Sequence, residues 1–178
     1  MKEKIEVFDY ASEILKSINK GILLTTKAGD KVNTMTIGWG SLGVEWRTNI
    51  FIAYIRENRF TATQLQENAE FTVNVPLGDF DKKIIGICGS KSGLKTDKIK
   101  EAGLDLIESD VVSVPGIKQF PLTLECKVIY KKLQDKDQIE ERFNKQFYPQ
   151  DVASDFPGAN KDYHYAIYGE IVNAYIAR

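Results

Sequence analysis

NTMTIGWGSLGVEWRTNIFIAYIRENRFT, residues Asn33 to Thr61, holds two apolar runs of strand character, Met35 to Trp39 and Ile50 to Ile55. Between them is a segment carrying Gly38, Gly40, Ser41 and Gly43, expected as a loop. A polar cluster follows, Arg56, Glu57, Asn58, Arg59 and Thr61, where the second strand ends and a helix begins. The first-turn N–H groups of such a helix lack partners and sit in positive potential, so the junction suits an anion, with phosphate the obvious candidate. Arg56, Asn58 and Arg59 are candidate phosphate ligands on this ground. Glycine permits close backbone approach, so the first strand and its Gly-rich segment can offer N–H groups and an aromatic surface to a flat polar ring.

The 178 residues suit one domain, expected over 1–178, with a sizeable core. Lysine plus arginine number 24 against 25 acidic residues, so no overall field steers the protein to nucleic acid or an acidic membrane. The apolar stretches fall short of a bilayer span and the start, MKEKIEVFDYASE, has no apolar signal core, so a cytoplasmic location is expected. Cys88 and Cys126 are too few and too far apart for a disulfide framework or zinc knuckle. With His164 the only histidine, a multi-histidine metal centre is excluded, and a Ser-His-Asp triad would have to use that one residue.

Outside the central stretch, Phe8 to Ile18 has the three- and four-residue apolar spacing of a short amphipathic helix. Gly21 to Thr26 and Val32 to Trp39 read as a hairpin about the turn Ala28-Gly29-Asp30-Lys31, and Asn49 to Ile55 as a third strand. Thr61-Ala62-Thr63-Gln64 has capping-box spacing and predicts a helix to about Gln66 or Glu67. Phe71 to Val75 alternates as a strand stopped by Pro76, and Asp79 to Cys88 and Thr96 to Ala102 read as helices, the second capped by Thr96 or Asp97. Short extended pieces fill Leu104 to Gln119. A long strand follows from Leu122 to Leu133, then a helix from Ile139 to Phe147, a loop or lid from Tyr148 to Asn160, and a final strand from Tyr163 to Ile176 interrupted by Gly169. Strands with scattered short helices predict a mostly β, predominantly antiparallel barrel with flanking helices. Gly86, Gly89 and Gly93 do not make the dinucleotide fingerprint, so no Rossmann unit is expected.

Five marks occur in order: Asn33-Thr34-Met35-Thr36 with Trp39-Gly40; Arg59-Phe60-Thr61; Phe71-Thr72-Val73-Asn74-Val75; Ser92-Gly93 with Asp97-Lys98; and His164 with Gly169-Glu170-Ile171. In this order and spacing, from about Gly21 to Tyr175, the chain resembles the flavin reductase-like proteins with an FMN-binding split barrel, and among them the flavoredoxin branch. The resemblance implies an FMN-binding split β-barrel that forms a homodimer. It further implies an FMN-dependent oxidoreductase taking hydride from NADH or NADPH, bound transiently, or electrons from a protein donor. Alternatives left open are an electron carrier without nicotinamide activity and a non-catalytic binding barrel. Asn33, Trp39, Thr61, Lys98 and His164 carry over as flavin contacts, with Thr34, Met35, Thr36, Gly40 and Ser41 along the lining strand and loop. No side chain is assigned as catalytic acid, base or nucleophile, because the flavin carries the chemistry while the protein positions and tunes it. Plain structural readings stand beside these: Trp39 in the core, Thr61 as helix cap, Arg56 and Arg59 as surface cations, and His164 as a satisfied histidine among tyrosines.

Overall fold

Period-two runs of β-branched and aromatic residues bury one face of a strand, and such strands pair until that face is covered. In the computed structural model, which describes residues 1–152 and 160–178, these runs form a curled antiparallel sheet. Its strands are β1 (Lys2–Lys4), β2 (Ile22–Ala28), β3 (Lys31–Ile37), β4 (Gly40–Glu45), β5 (Thr48–Arg56), β6 (Glu70–Val75), β9 (Leu122–Leu133) and β10 (His164–Ala177). Two further short strands, β7 (Leu106–Ile107) and β8 (Gly116–Ile117), pair with each other. The order across the main sheet is β3-β2-β6-β9-β10-β5-β4, with β1 also on β10, and every pair is antiparallel.

The two edge strands, β3 and β4, are consecutive in the chain. Only Gly38 and Trp39 separate Ile37 from Gly40, a link that spans about 10 Å at most, so the sheet must curl until its edges nearly meet. The result is a split barrel whose seam lies at Gly38-Trp39. Its interior holds Leu24, Met35, Ile37, Phe51, Phe71 and Leu124 among others, with Ile14 and Ile18 of α1 (Ala11–Ile18) and Leu65 of α2 (Phe60–Glu67) closing the core. A second apolar cluster packs α3 (Lys82–Ser90) on the outside through Ile84 and Cys88 against Leu23 of β2, whose side chain points away from the barrel interior. Helices α4 (Lys98–Glu101) and α5 (Glu141–Phe147) complete the flank. Among the described residues no helix is long and apolar enough to cross a membrane.

Several expectations change. The segment from Gly40 to Glu45 is not a loop but an edge strand paired with β5, and its turn is Trp46-Arg47, both at positive φ (50° and 59°). Gly169 does not interrupt the final strand. It lies opposite a bulge in β9, where Ile129 is the extra residue, and a Cβ there would come within 2.4 Å of the Phe71 ring, so a glycine lets the strand pass over that ring. The first helix is split into a 3₁₀ turn, Val7–Tyr10, and α1, which leaves Phe8 and Leu15 exposed. Helix α3 starts at Lys82 rather than Asp79 because the Asp81 carboxylate accepts from Lys83 N at 2.9 Å and caps it. The expected loop from Tyr148 to Asn160 lies largely outside the described residues.

Candidate functional site

At the seam, Trp39 is 37% exposed and leans on two groups distant in sequence, from β10 and α5. Its ring centroid is 4.7 Å from that of His164 and 5.1 Å, edge-on, from that of Phe147. His164 opens β10 and pairs with Arg56 at the end of β5, so the ladder brings it beside the polar cluster. A cavity of about 170 Å³ lies here, lined by Met35, Thr36, Trp39, Arg56, Arg59 and His164, together with Gly38 and Tyr54. On the other side of Trp39 a second hollow, about 360 Å³, reaches Gly40, Tyr54 and Gln134. Further down β3 a third, about 420 Å³, is lined by Lys31, Asn33, Gly93 and Lys98. The six steps along the chain from Asn33 to Trp39 cover about 20 Å, so the hollows lie along one strand at the reach of a flat ring with a phosphorylated tail.

The cations divide into spent and available. Arg56 donates Nη1 to the carbonyls of Asn160 (2.9 Å) and Asp162, and Nη2 to that of Phe147 (3.1 Å). It therefore ties the segment before β10 to the barrel, a bracing task its sequence position did not announce. Arg59 makes one long bond, 3.5 Å to the Gly89 carbonyl. Lys98, 4% exposed, makes one contact, 3.3 Å from Nζ to the Cys88 carbonyl. Neither Arg59 nor Lys98 has a carboxylate at ion-pair distance among the described residues. Burial, opposed by Cys88 and reinforced by the Arg59 charge, pushes the Lys98 ammonium down to about 8. Burial, with Arg56 and Arg59, drives His164 down to about 3, so its imidazole is neutral at neutral pH.

Thr61 lies beneath this surface, and Asn33, itself buried, reaches it only at the hollow it shares with Lys98. Asn33 Nδ2 donates to Thr61 Oγ1 at 3.0 Å, and Asn33 Oδ1 is buried with no donor. The capping-box expectation fails: Arg59 is the N-cap residue in extended geometry, Thr61 is inside the first turn, and Gln64 accepts from Thr26 Oγ1 (2.6 Å) and donates to the Lys31 carbonyl (2.8 Å). Asp97 caps α4, accepting from Lys100 N at 3.1 Å.

Of the remaining sequence candidates, Met35 is buried with one side on the first cavity, and Thr36 holds α3 through the Ile85 carbonyl at 2.8 Å. Thr34 is consumed by the core, donating to the Leu24 carbonyl at 3.2 Å and accepting from Thr25 at 3.1 Å. Gly40 sits where a Cβ would be 2.7 Å from the Phe51 ring. Ser41 lies on β4 opposite Ile52, and Asn58 is exposed on the turn, both away from the cavities. Tyr54 was not singled out, although its spacing of two from Arg56 on a strand puts both on one face. Gln134, Phe147 and Tyr148 carry no local signal and are brought here by tertiary packing.

The flavin reductase like domain family matches residues 16–178 of this chain. The chain belongs to that family. An uncharacterized protein of Archaeoglobus fulgidus is 33% identical over 100 residues, covering 56% of this chain and 55% of its own length. The chain spans little more than half the length of the curated relatives it matches, 55% and 59% of theirs. Among solved structures, a flavoredoxin from Methanosarcina acetivorans is 26% identical with TM-score 0.63, covering 89% of this chain and 68% of that one. A flavoredoxin of Desulfovibrio vulgaris superposes with TM-score 0.64 at 19% identity, covering 89% and 69%, a likeness of fold. The site of this flavin reductase like chain fits a phosphorylated flavin on its donor set: two buried or half-buried cations with no carboxylate at ion-pair distance among the described residues, and an aromatic shelf at the seam.

Proposed function

We propose that this chain is an FMN-dependent oxidoreductase that passes hydride or electrons from a reduced nicotinamide or a protein donor to an acceptor. The observation that carries the reading is the pair Arg59 and Lys98, cations held on the neighbouring carbonyls of Gly89 and Cys88 with no carboxylate at ion-pair distance among the described residues. An enclosed ammonium lacking a counter-ion is costly, and a phosphate beside it offsets the cost. When bound, FMN supplies two-electron chemistry by accepting hydride at its ring. The residues of the chain would do the rest. Arg59 and Lys98 would hold the phosphate, Trp39 and His164 would lie beside the ring at the seam, and the backbone around Gly38 would offer it N–H groups. Gly38 leaves one side low enough for a nicotinamide to approach.

Purified protein is expected to take up FMN with quenched fluorescence and to bleach rapidly on mixing with NADH or NADPH in a stopped-flow instrument. Arg59→Ala should weaken FMN tenfold or more, as for a hydrogen bond to a charged group, and riboflavin much less. Equal losses for both ligands would refute the phosphate placement. The likeness to a flavoredoxin at 26% identity supports a second reading, an FMN electron carrier, for which bound flavin would not bleach with either nicotinamide. A homodimer is part of the proposal. Trp46, Tyr130 and Tyr168 form an aromatic group with Trp46 62% exposed, a surface a second copy can cover, and Trp46→Lys should then shift the mass seen by light scattering to that of a monomer.

A further inference from the structure

His164 is the chain's only histidine, and one of its ring nitrogens is engaged. Nδ1 lies 2.8 Å from the Tyr148 hydroxyl, and that hydroxyl lies 3.0 Å from Gln134 Oε1. The three groups come from three places: the residue following β9, the residue following α5 and the first residue of β10. Gln134 is fixed opposite the histidine because its N–H donates to the His164 carbonyl at 2.9 Å, extending the β9–β10 ladder. Tyr148 is buried and stacked on Tyr163, ring centroids 4.5 Å apart, with the Arg56 guanidinium 5.2 Å from its ring.

Proton counting gives this chain a direction. A tyrosine has one hydroxyl proton and an amide oxygen can only accept, so that proton goes to Gln134. The contact with His164 is then a hydrogen bond only if Nδ1–H donates to the Tyr148 oxygen. A neutral imidazole has one N–H, so Nε2 carries a bare lone pair. The geometry points to Gln134 and Tyr148 as positioning residues that hold His164 as the neutral Nδ1–H tautomer and present Nε2 as a hydrogen-bond acceptor to the cavity beside Trp39. The charged and titratable groups around the ring are Arg56 from β5, Arg59 before α2, and Tyr148 and Tyr163; both arginines oppose its protonation, as burial does.

The consequence concerns what the cavity accepts. At His164 the ligand must offer a donor, an N–H or O–H, whereas its anionic groups belong with Arg59 and Lys98. Resting on the flavin reading, this selects the ring N3–H or a ribityl hydroxyl for His164, and not a ring carbonyl oxygen.

A single histidine makes the test direct. In protein labelled with ¹⁵N-histidine, long-range ¹H–¹⁵N spectra contain one imidazole and report its tautomer. At neutral pH the unliganded protein should show a protonated Nδ1 and a bare Nε2, with a preference of about fivefold or more, the size that one net hydrogen bond sets. Tyr148→Phe should abolish that preference. Gln134→Met, at a half-buried position, should reverse it, because the Tyr148 hydroxyl is then free to donate to Nδ1. Added FMN should move the Nε2 signal and leave Nδ1 in place. A protonated Nε2 or a doubly protonated ring in the unmodified protein would overturn the assignment, as would two variants with unchanged spectra. FMN that binds, by fluorescence quenching, without moving Nε2 would overturn its placement toward the cavity. FMN that fails to bind would refute the flavin reading while the tautomer result stands.

Discussion

Lys98 gives the sharpest quantitative test of where an anion sits. Burial pushes its ammonium from the ordinary 10.5 down to about 8. A phosphate placed beside Nζ favours the charged form, and full compensation would return the group to its ordinary value. The free and bound proteins then differ in proton affinity, and ligand affinity must depend on pH by linkage. The sign follows from the direction of the shift. The bound state holds the proton more tightly, so affinity is greatest below about 8 and falls as pH rises toward the bound value. For a pKa moving from about 8 to 10.5, FMN should bind about tenfold more weakly at pH 9 than at pH 7, an apparent loss of about 1.4 kcal/mol. The assay is fluorescence quenching of FMN over that range, above the second phosphate pKa of about 6 so that the ligand's charge is constant. Riboflavin, without phosphate, should show a nearly flat profile, as should FMN with Lys98→Met. An FMN affinity equal at both pH values, or a slope retained in Lys98→Met, would refute the pairing of Lys98 with a phosphate.

Other expectations rest on separate features. Gly93→Ala puts a Cβ 2.2 Å from Asn33 Oδ1 and 2.9 Å from the Phe60 ring, so it should cost about 2 kcal/mol and lower the melting temperature by about 4–8 °C in calorimetry. Glu125, fully buried, accepts from the N–H groups of Asp110 (2.9 Å), Val111 (2.7 Å) and Val112 (3.1 Å) and from Asn173 Nδ2 (3.0 Å). Glu125→Ala should therefore cost about 3 kcal/mol in denaturant unfolding and expose the 108–114 segment to proteolysis. His164 is held down to about 3, so below its ordinary 6.5 the unfolded chain binds a proton that the folded chain refuses. Stability is lost as pH falls through that window, by at most about 1.4 kcal/mol per pH unit, and the difference in acid unfolding between wild type and His164→Gln should report that component.

The central strands were legible because their evidence is local. Leu122 to Leu133 reads as a strand from its own alternation, and β9 has those limits. The turn at Gly29-Asp30 and the helix ending at Glu67 were equally plain. Strand β1 was not, since Lys2–Lys4 has no apolar residue and becomes a strand only because Tyr175–Ala177 of β10 offers it a partner. Strand β4 was read as a loop because glycine weakens strand propensity. Gly40 is there for a non-local reason, the Phe51 ring beneath it. At the candidate site, adjacency of Trp39, Arg59 and the histidine was an expectation of pattern, and the cavity joining them is a property of the curled sheet. Arg56 read as a phosphate cation and instead braces three carbonyls. Thr61 read as a cap and instead accepts from Asn33.

By itself the sequence determined the central strands, their inward faces and the mostly antiparallel class, because a side chain's face depends on neighbours two positions away. It also determined that any anion must be held by a local cluster, since the charges nearly cancel overall. Only the tertiary structure decided that the sheet closes on Gly38-Trp39, that Lys98 is enclosed without a carboxylate among the described residues, and that Gln134 and Tyr148 reach His164. Those outcomes depend on residues tens of positions apart meeting at hydrogen-bond distance, and no periodicity along the chain encodes such meetings.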